Sequence, residues 1–357
     1  MWADFHWHGR DWKQSHKETV KHSLELAYAS GGLALGMMPN TDRPLTSLTA
    51  CRDYLKLAKQ ADIPQCSVQM YVHLGLTKRK DQIKRAVAAY RKEPGICGLK
   101  FFHGRSTGNL AITEYNEQYE VWNILAQEGY DGVVVCHFEK ELFMNDKWNS
   151  AKGKEWNTKA RPEIAEIASF ADGYEIITDV GFKGTVHVAH VSTPQVIDFV
   201  HNYNQNPVHD FKMSAGLTLH HLHFSDHWMT TPEGVWWKCN PSLRSEATRQ
   251  GLEDRVKDGR VKILESDHAP HTHADKHPED GSVPASGAAS GTGWDYMQKW
   301  LGQKQMGEEQ IDDVMFHNVV KAYGLEDQIE PVRRKVDKKR FAELREWYPR
   351  DVFKNFR

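Results

Sequence analysis

Cysteine is sparse in this sequence and follows no pattern. Cys51, Cys66, Cys97, Cys136 and Cys239 stand singly, with no CxxC pair. An odd count without short spacings argues against a disulfide framework and against a thiolate zinc site, and it fits a reducing cytoplasm. Long apolar runs are also missing. Hydrophobic residues make up 39% of the 357 positions, and no stretch approaches the roughly 20 apolar residues of a membrane helix. Met1 is followed almost at once by charged residues and His6, which is not the start of a signal peptide. A soluble, cytoplasmic protein is expected. Neither sign of charge dominates: 46 Lys and Arg against 48 Asp and Glu give −2, so nothing calls for nucleic acid or a membrane surface as partner. No internal repeat or low-complexity linker divides the chain. Its length suits one large domain or two average ones.

What is present is a series of apolar segments separated by amphipathic ones. Strands are expected at 3–8, 31–41, 66–74, 95–104, 130–139, 184–192, 211–224 and 260–270. Helices are expected at 15–30, 46–61, 78–92, 113–128, 161–171 and 194–202, with another after Arg244. A polar stretch runs up to about 160. The Gly-, Ser- and Ala-rich segment 276–293 reads as a loop, and the charged, aromatic segment 330–357 as a tail wrapped outside the rest. Apolar strands alternating with helices imply a parallel sheet covered on both faces. Eight such units in a chain of this length predict an α/β fold, a (β/α)8 TIM barrel.

Ionisable residues fall at the ends of these strands, where such a barrel holds its active site. The first strand carries His6-Trp7-His8-Gly9-Arg10. Residues i and i+2 of an extended chain share a side, so His6, His8 and Arg10 share one face if the strand continues that far. Two imidazoles there make half of a metal site. With 20 His in the chain, an HxH pattern alone is weak. Lys100, His137, His190 and Asp267 stand on the fourth, fifth, sixth and eighth strands. A lysine inside an apolar strand is costly unless neutralised or paired, and reaction with carbon dioxide to a carbamate is one solution. The twelve Trp are explained equally well by core packing and by pocket lining.

Six stretches together resemble the amidohydrolase superfamily and, within it, the dihydroorotases. DFHWHGRD resembles the DxHxHxR signature, MMPNT the turn after strand two, and GLKFFHGRSTGN the strand of the carbamylated lysine. NPSLR resembles NPPLR, ESDHAPHTHADK the second signature, and HNVVKAYGL, more weakly, a C-terminal helix. The likeness spans about residues 4–325. Three positions depart from it: Gly9, Trp12, and Glu265 in place of a small residue. The long dihydroorotases also carry a β-sandwich built from both sides of the barrel. With three residues before Asp4 and no strand-rich segment after 325, a compact form without the sandwich is expected. The division expected is a catalytic barrel over 1–325 and a C-terminal extension over 326–357 packed on it.

The resemblance implies a cofactor of two Zn2+ bridged by carbamylated Lys100. His6, His8 and Asp267 would hold one ion, and His137 and His190 the other. It implies hydrolysis of the ring amide of dihydroorotate, and in reverse the cyclisation of N-carbamoyl-L-aspartate in pyrimidine synthesis, with Asp267 carrying the proton. Arg10, Asn40 and His271 would bind the substrate carboxylate and Asn240 the ring amide edge, although Arg10 also fits a structural ion pair. His220, His221 and His223 read as structural. Glu139 fits either the orientation of a ligand or the capping of a helix, and Asp11 has no assigned role. The segments 217–224 and 271–293 both fit a loop closing over substrate. A hydantoinase or allantoinase would share the metal ligands without the Arg10, Asn40 and His271 clamp. A non-catalytic scaffold for aspartate transcarbamoylase is the alternative from another class. A homodimer and an association with aspartate transcarbamoylase are the partners the resemblance leaves open.

Overall fold

The computed structural model describes residues 1–106, 108–145 and 160–356. The expected polar stretch lies in large part, from 146 to 159, outside the described residues. Eight strands form the centre: β1 (Trp2–Trp7), β2 (Gly32–Met37), β3 (Gln69–Gly75), β4 (Ile96–Phe102), β5 (Val133–His137), β6 (Thr185–Val188), β7 (Lys212–Thr218) and β8 (Ile263–Glu265). They pair in parallel in chain order from β1 to β8. β8 returns to β1 through a parallel bridge between Trp7 and His268, where His8 N donates to His268 O at 2.8 Å. The result is the expected (β/α)8 barrel, nearly closed. Seven helices, Val20–Ala29, Leu48–Leu55, Lys80–Lys92, Tyr115–Gln127, Glu163–Asp179, Pro194–Gln205 and Glu246–Lys257, fill the connections between successive strands.

The reason is visible residue by residue. Every position of β1, β2, β4 and β5 is buried, as expected of strands covered on both faces. The helix Lys80–Lys92 buries Ile83, Ala86 and Val87, an i, i+3, i+4 set, and leaves its lysines and arginines outside. Each large apolar side chain buried this way contributes about 1.5–3 kcal/mol. Helix starts are fixed by side chains: Thr19, Ser47 and Ser245 accept from His22 N, Ala50 N and Thr248 N, meeting donors a helix cannot satisfy itself. Asp11 gains a role here, accepting from Trp12 N at 2.7 Å and from Val20 N at 2.9 Å.

A second apolar cluster lies inside the barrel. Phe5 stacks on Tyr323 with ring centroids 4.4 Å apart, and Val319, Val320 and Tyr323 pack there with Ala3 and Ile263. The segment from Asp313 to Ala322, one π-helical turn followed by a short α-helix, thereby closes the end of the barrel where the strands begin. The chemistry is left to the other end. The tail contacts the Val20–Ala29 helix: His22 Nε2 lies 2.9 Å from Leu344 O, Asp337 N donates to Ala29 O, and the Tyr348 hydroxyl donates to Glu18.

Four boundaries differ from expectation. β1 stops at Trp7, because Arg10, Asp11 and Trp12 all adopt positive φ. The helix expected to end at 171 runs to Asp179. Gly173 does not stop it but lets it approach Phe138, whose ring lies 2.5 Å from where a Cβ would stand. β7 ends at Thr218, whose hydroxyl accepts from His221 N and starts a short helix, Leu219–His223. The regular part of β8 is three residues long, and Asp267, with φ 46°, turns the chain out of it.

Candidate metal centre

β1 and β8 lie side by side and bring His6, His8 and Asp267 together. Asp267 Oδ1 is 3.3 Å from His6 Nε2 and 3.1 Å from His8 Nε2. One ligand atom from each of the three lies within 4.8 Å of the others. β5 and the residue two past β6 supply a second pair, with His137 Nδ1 and His190 Nε2 facing each other at 2.9 Å. The two pairs adjoin, since the His6 and His190 rings are 5.1 Å apart. Lys100 is buried on β4, its ammonium 4.9 Å from the Phe102 ring. Among the described residues its Nζ has no hydrogen-bond partner.

His190 and Asp267 share a backbone feature, φ of 42° and 46°. Non-glycine residues held there cost about 1–3 kcal/mol each and cluster at functional sites. Here each stands just past a strand end and aims its side chain into the cluster.

The electrostatics suit cation binding. Burial pushes the His8 imidazole down to about 4 and drives His137 and His190 below their usual range, so all three are neutral near pH 7, the form that binds a metal. Burial raises the Asp267 carboxyl, but His6 and His8 beside it hold it well below the usual carboxylate range. Burial pushes Lys100 down to about 8, within reach of the neutral amine that reacts with carbon dioxide. A buried lysine with no hydrogen-bond partner among the described residues, neutral imidazoles at His8, His137 and His190, and a carboxylate shared by two imidazoles fit an oxygen- and nitrogen-liganded divalent cation.

Around this cluster, Glu139 Oε2 lies 3.1 Å from His137 Nε2 and pairs with Arg161. Of the two roles open to Glu139, the contact matches ligand orientation. His221 is occupied: Nδ1 lies 2.7 Å from the Thr218 hydroxyl and Nε2 3.1 Å from Pro241 O. Although His220, His221 and Cys239 approach one another closely enough to hold an ion, those bonds make His221 a structural residue. His223 packs among Tyr296, Phe353 and Phe356.

A cleft beside the cluster is lined by His8, Arg10, Asn40, Asn240, Asp267 and Ser286. Arg10 reaches it through the left-handed turn rather than along the strand. Its Nη2 lies 3.2 Å from His271 Nε2 and its Nε donates to Pro270 O at 3.4 Å. No carboxylate pairs with Arg10 among the described residues. A larger cavity of about 770 Å³ opens at the opposite end of the barrel, among Lys212, Lys262 and Lys321, and holds none of the cluster.

Sequence reasoning did not assign Arg161, His187 or a role for Glu265. Burial raises the Glu265 carboxyl, but His6 and His187 hold it well below the usual range. The available signals were a glutamate at a position noted as unusual and a second histidine in HVAH.

No family model matches the chain. It is 28% identical over 295 residues to a dihydroorotase of Methanosarcina mazei, covering 79% of this chain and 60% of that protein. It is 27% identical over 329 residues to one of Halobacterium salinarum, covering 90% and 71%. The chain is similar in sequence to the dihydroorotase-type amidohydrolases. Solved structures share the fold of this barrel. An L-hydantoinase from Arthrobacter aurescens superposes with a TM-score of 0.76 at 19% identity, over 94% of this chain and 73% of that one. A Saccharomyces cerevisiae dihydroorotase in complex with 5-fluoroorotic acid gives 0.69 at 20%, over 92% and 85%. The chain spans about three fifths of the length of the first of these relatives.

Proposed function

We propose that the protein is a metal-dependent dihydroorotase, interconverting L-dihydroorotate and N-carbamoyl-L-aspartate. The observation that carries this reading is one cleft with two walls. On one side stands His8 beside Asp267; on the other stands Arg10, buried beside His271.

His6, His8 and Asp267 would hold one Zn2+, His137 and His190 a second, and Lys100, as its carbamate, both. When bound, such ions lower the pKa of water and polarise the amide carbonyl. The chain's own groups do the rest. Arg10 offers a fork to the substrate carboxylate, with Asn40 and His271 beside it, and Asn240 meets the ring amide edge. Water adds to the ring carbonyl carbon and the ring C–N bond breaks. Asp267 takes the proton from the attacking water and delivers it to the leaving nitrogen, giving a carboxylate and a ureido NH2. The same carboxylate serves the reverse direction. The contacts of His22, Ala29 and Glu18 with the tail support treating 326–357 as an extension packed on a barrel of 1–325.

Arg10→Met tests the clamp. Hydrogen bonds to a charged group contribute about 1.5–3 kcal/mol, so KM for dihydroorotate is expected to rise about 10–100-fold while bound zinc, measured on the same sample, is unchanged. Unaltered kinetics would remove Arg10 from substrate binding.

A further inference from the structure

Glu265 is a buried carboxylate that the roles above leave unused. It stands on β8, two residues before Asp267, where the resembling family carries a small residue. Its Oε1 lies 3.2 Å from His6 Nδ1 and accepts from the backbone N–H of His190. Its Oε2 lies 3.1 Å from His187 Nε2, and His187 Nδ1 lies 2.8 Å from the Ser214 hydroxyl. An ionised carboxylate only accepts hydrogen bonds. Both imidazoles must therefore donate to it, His6 through Nδ1 and His187 through Nε2. In the neutral imidazole form that binds a metal, His187 Nδ1 then accepts from Ser214 and the lone pair of His6 lies on Nε2, the atom 3.3 Å from Asp267. The same carboxylate thus touches both halves of the centre: the His6 ring, and the backbone of His190 at its left-handed turn.

The space for it is built into β7. A Cβ at Gly216 would stand 2.4 Å from the carboxyl carbon of Glu265. Glycine at 216 and glutamate at 265 are therefore a matched pair, and no side chain fits at 216 while that carboxylate is in place.

We propose that Glu265, housed by Gly216, is the positioning residue of the metal centre: it sets the His6 tautomer that presents Nε2 to a cation and fixes the turn that aims His190. This rests on reading His6, His8 and Asp267 as metal ligands. Carboxylate partners of ligating histidines commonly change metal affinity about 10–100-fold.

The test is a Zn2+ titration of the full-length protein against a chromophoric chelator, with thermal unfolding of the metal-free samples alongside. The wild type, Glu265→Gln, Glu265→Ala, Gly216→Ala and the Glu265→Ala/Gly216→Ala pair are compared. Glu265→Ala is expected to weaken zinc binding about 10–100-fold. Glu265→Gln, which keeps an acceptor for His6 but loses the charge, should weaken it less. Gly216→Ala should weaken it in the wild-type background and add nothing in the Glu265→Ala background, where the methyl group has room. Equal zinc affinity in wild type and Glu265→Ala would overturn the proposal, even if Glu265→Ala melts earlier. An equal loss from Gly216→Ala in both backgrounds would also overturn it, as would a wild type that binds no zinc. A wild type that binds zinc as described but turns over no dihydroorotate leaves the role of Glu265 standing and removes the proposed function instead.

Discussion

Lys100→Ala is expected to abolish turnover of dihydroorotate, by at least about 10³-fold in kcat, which corresponds to about 4 kcal/mol of lost transition-state stabilisation. Lys100 is buried in β4 with no hydrogen-bond partner for its ammonium among the described residues, and burial pushes it down to about 8. A cation kept there without a counterion is costly. The cost is removed if the amine reacts with carbon dioxide and the resulting anion meets two cations. Alanine removes that anion, so the variant should also carry fewer zinc equivalents than the wild type, read by elemental analysis of dialysed protein. β4 is a wholly apolar strand apart from this residue, so the fold should survive and circular dichroism should be unchanged. A folded Lys100→Ala protein with full activity and full zinc content would rule out a bridging role.

Asp267→Asn comes next in size. General acid–base catalysis by one positioned group contributes typically about 10²–10⁴-fold, and a loss in that range is expected in both directions. Asparagine keeps the shape and one oxygen but cannot take a proton. His6 and His8 beside Asp267 hold its carboxyl well below the usual range, so in the wild type it is ionised and able to accept one. Zinc content separates the two contributions of this residue. Lost rate with retained zinc isolates the proton transfer, whereas lost zinc assigns the effect to ligation. Retained rates in hydrolysis and cyclisation alike would place the proton on another group.

The barrel was legible because each strand is covered on both faces and so reads as a nearly continuous apolar run. VVVCH and GLALGM need no partner to be recognised. His6 and His8 were legible by their alternation, and Lys100 by its misfit in an apolar strand. Spacing put Arg10 on the face of His6 and His8 only if the strand continued, and its actual path was not legible: positive φ at three successive non-glycine residues leaves no mark in composition. The end of β7 was hidden for a related reason, since LTLHHLHF alternates like a strand until Thr218 caps a helix. Glu265 was noticed as a departure and given no role. Its neighbours His6, His187 and Gly216 come from β1, β6 and β7, and their meeting is a product of barrel closure that no local window contains. Gly173 shows the converse: a residue that commonly ends helices instead lets one pack closely against Phe138.

The central claim is cyclic amide hydrolysis at a zinc centre with a carboxylate clamp beside it. The most direct test is a turnover assay of the purified protein on L-dihydroorotate, hydantoin and allantoin, with zinc measured on the same sample. The expected result is close to two zinc per chain, with hydrolysis of dihydroorotate far ahead of the two substrates that carry no ring carboxylate for Arg10. Comparable or faster turnover of hydantoin or allantoin, or a zinc-loaded protein inert toward dihydroorotate, would contradict it.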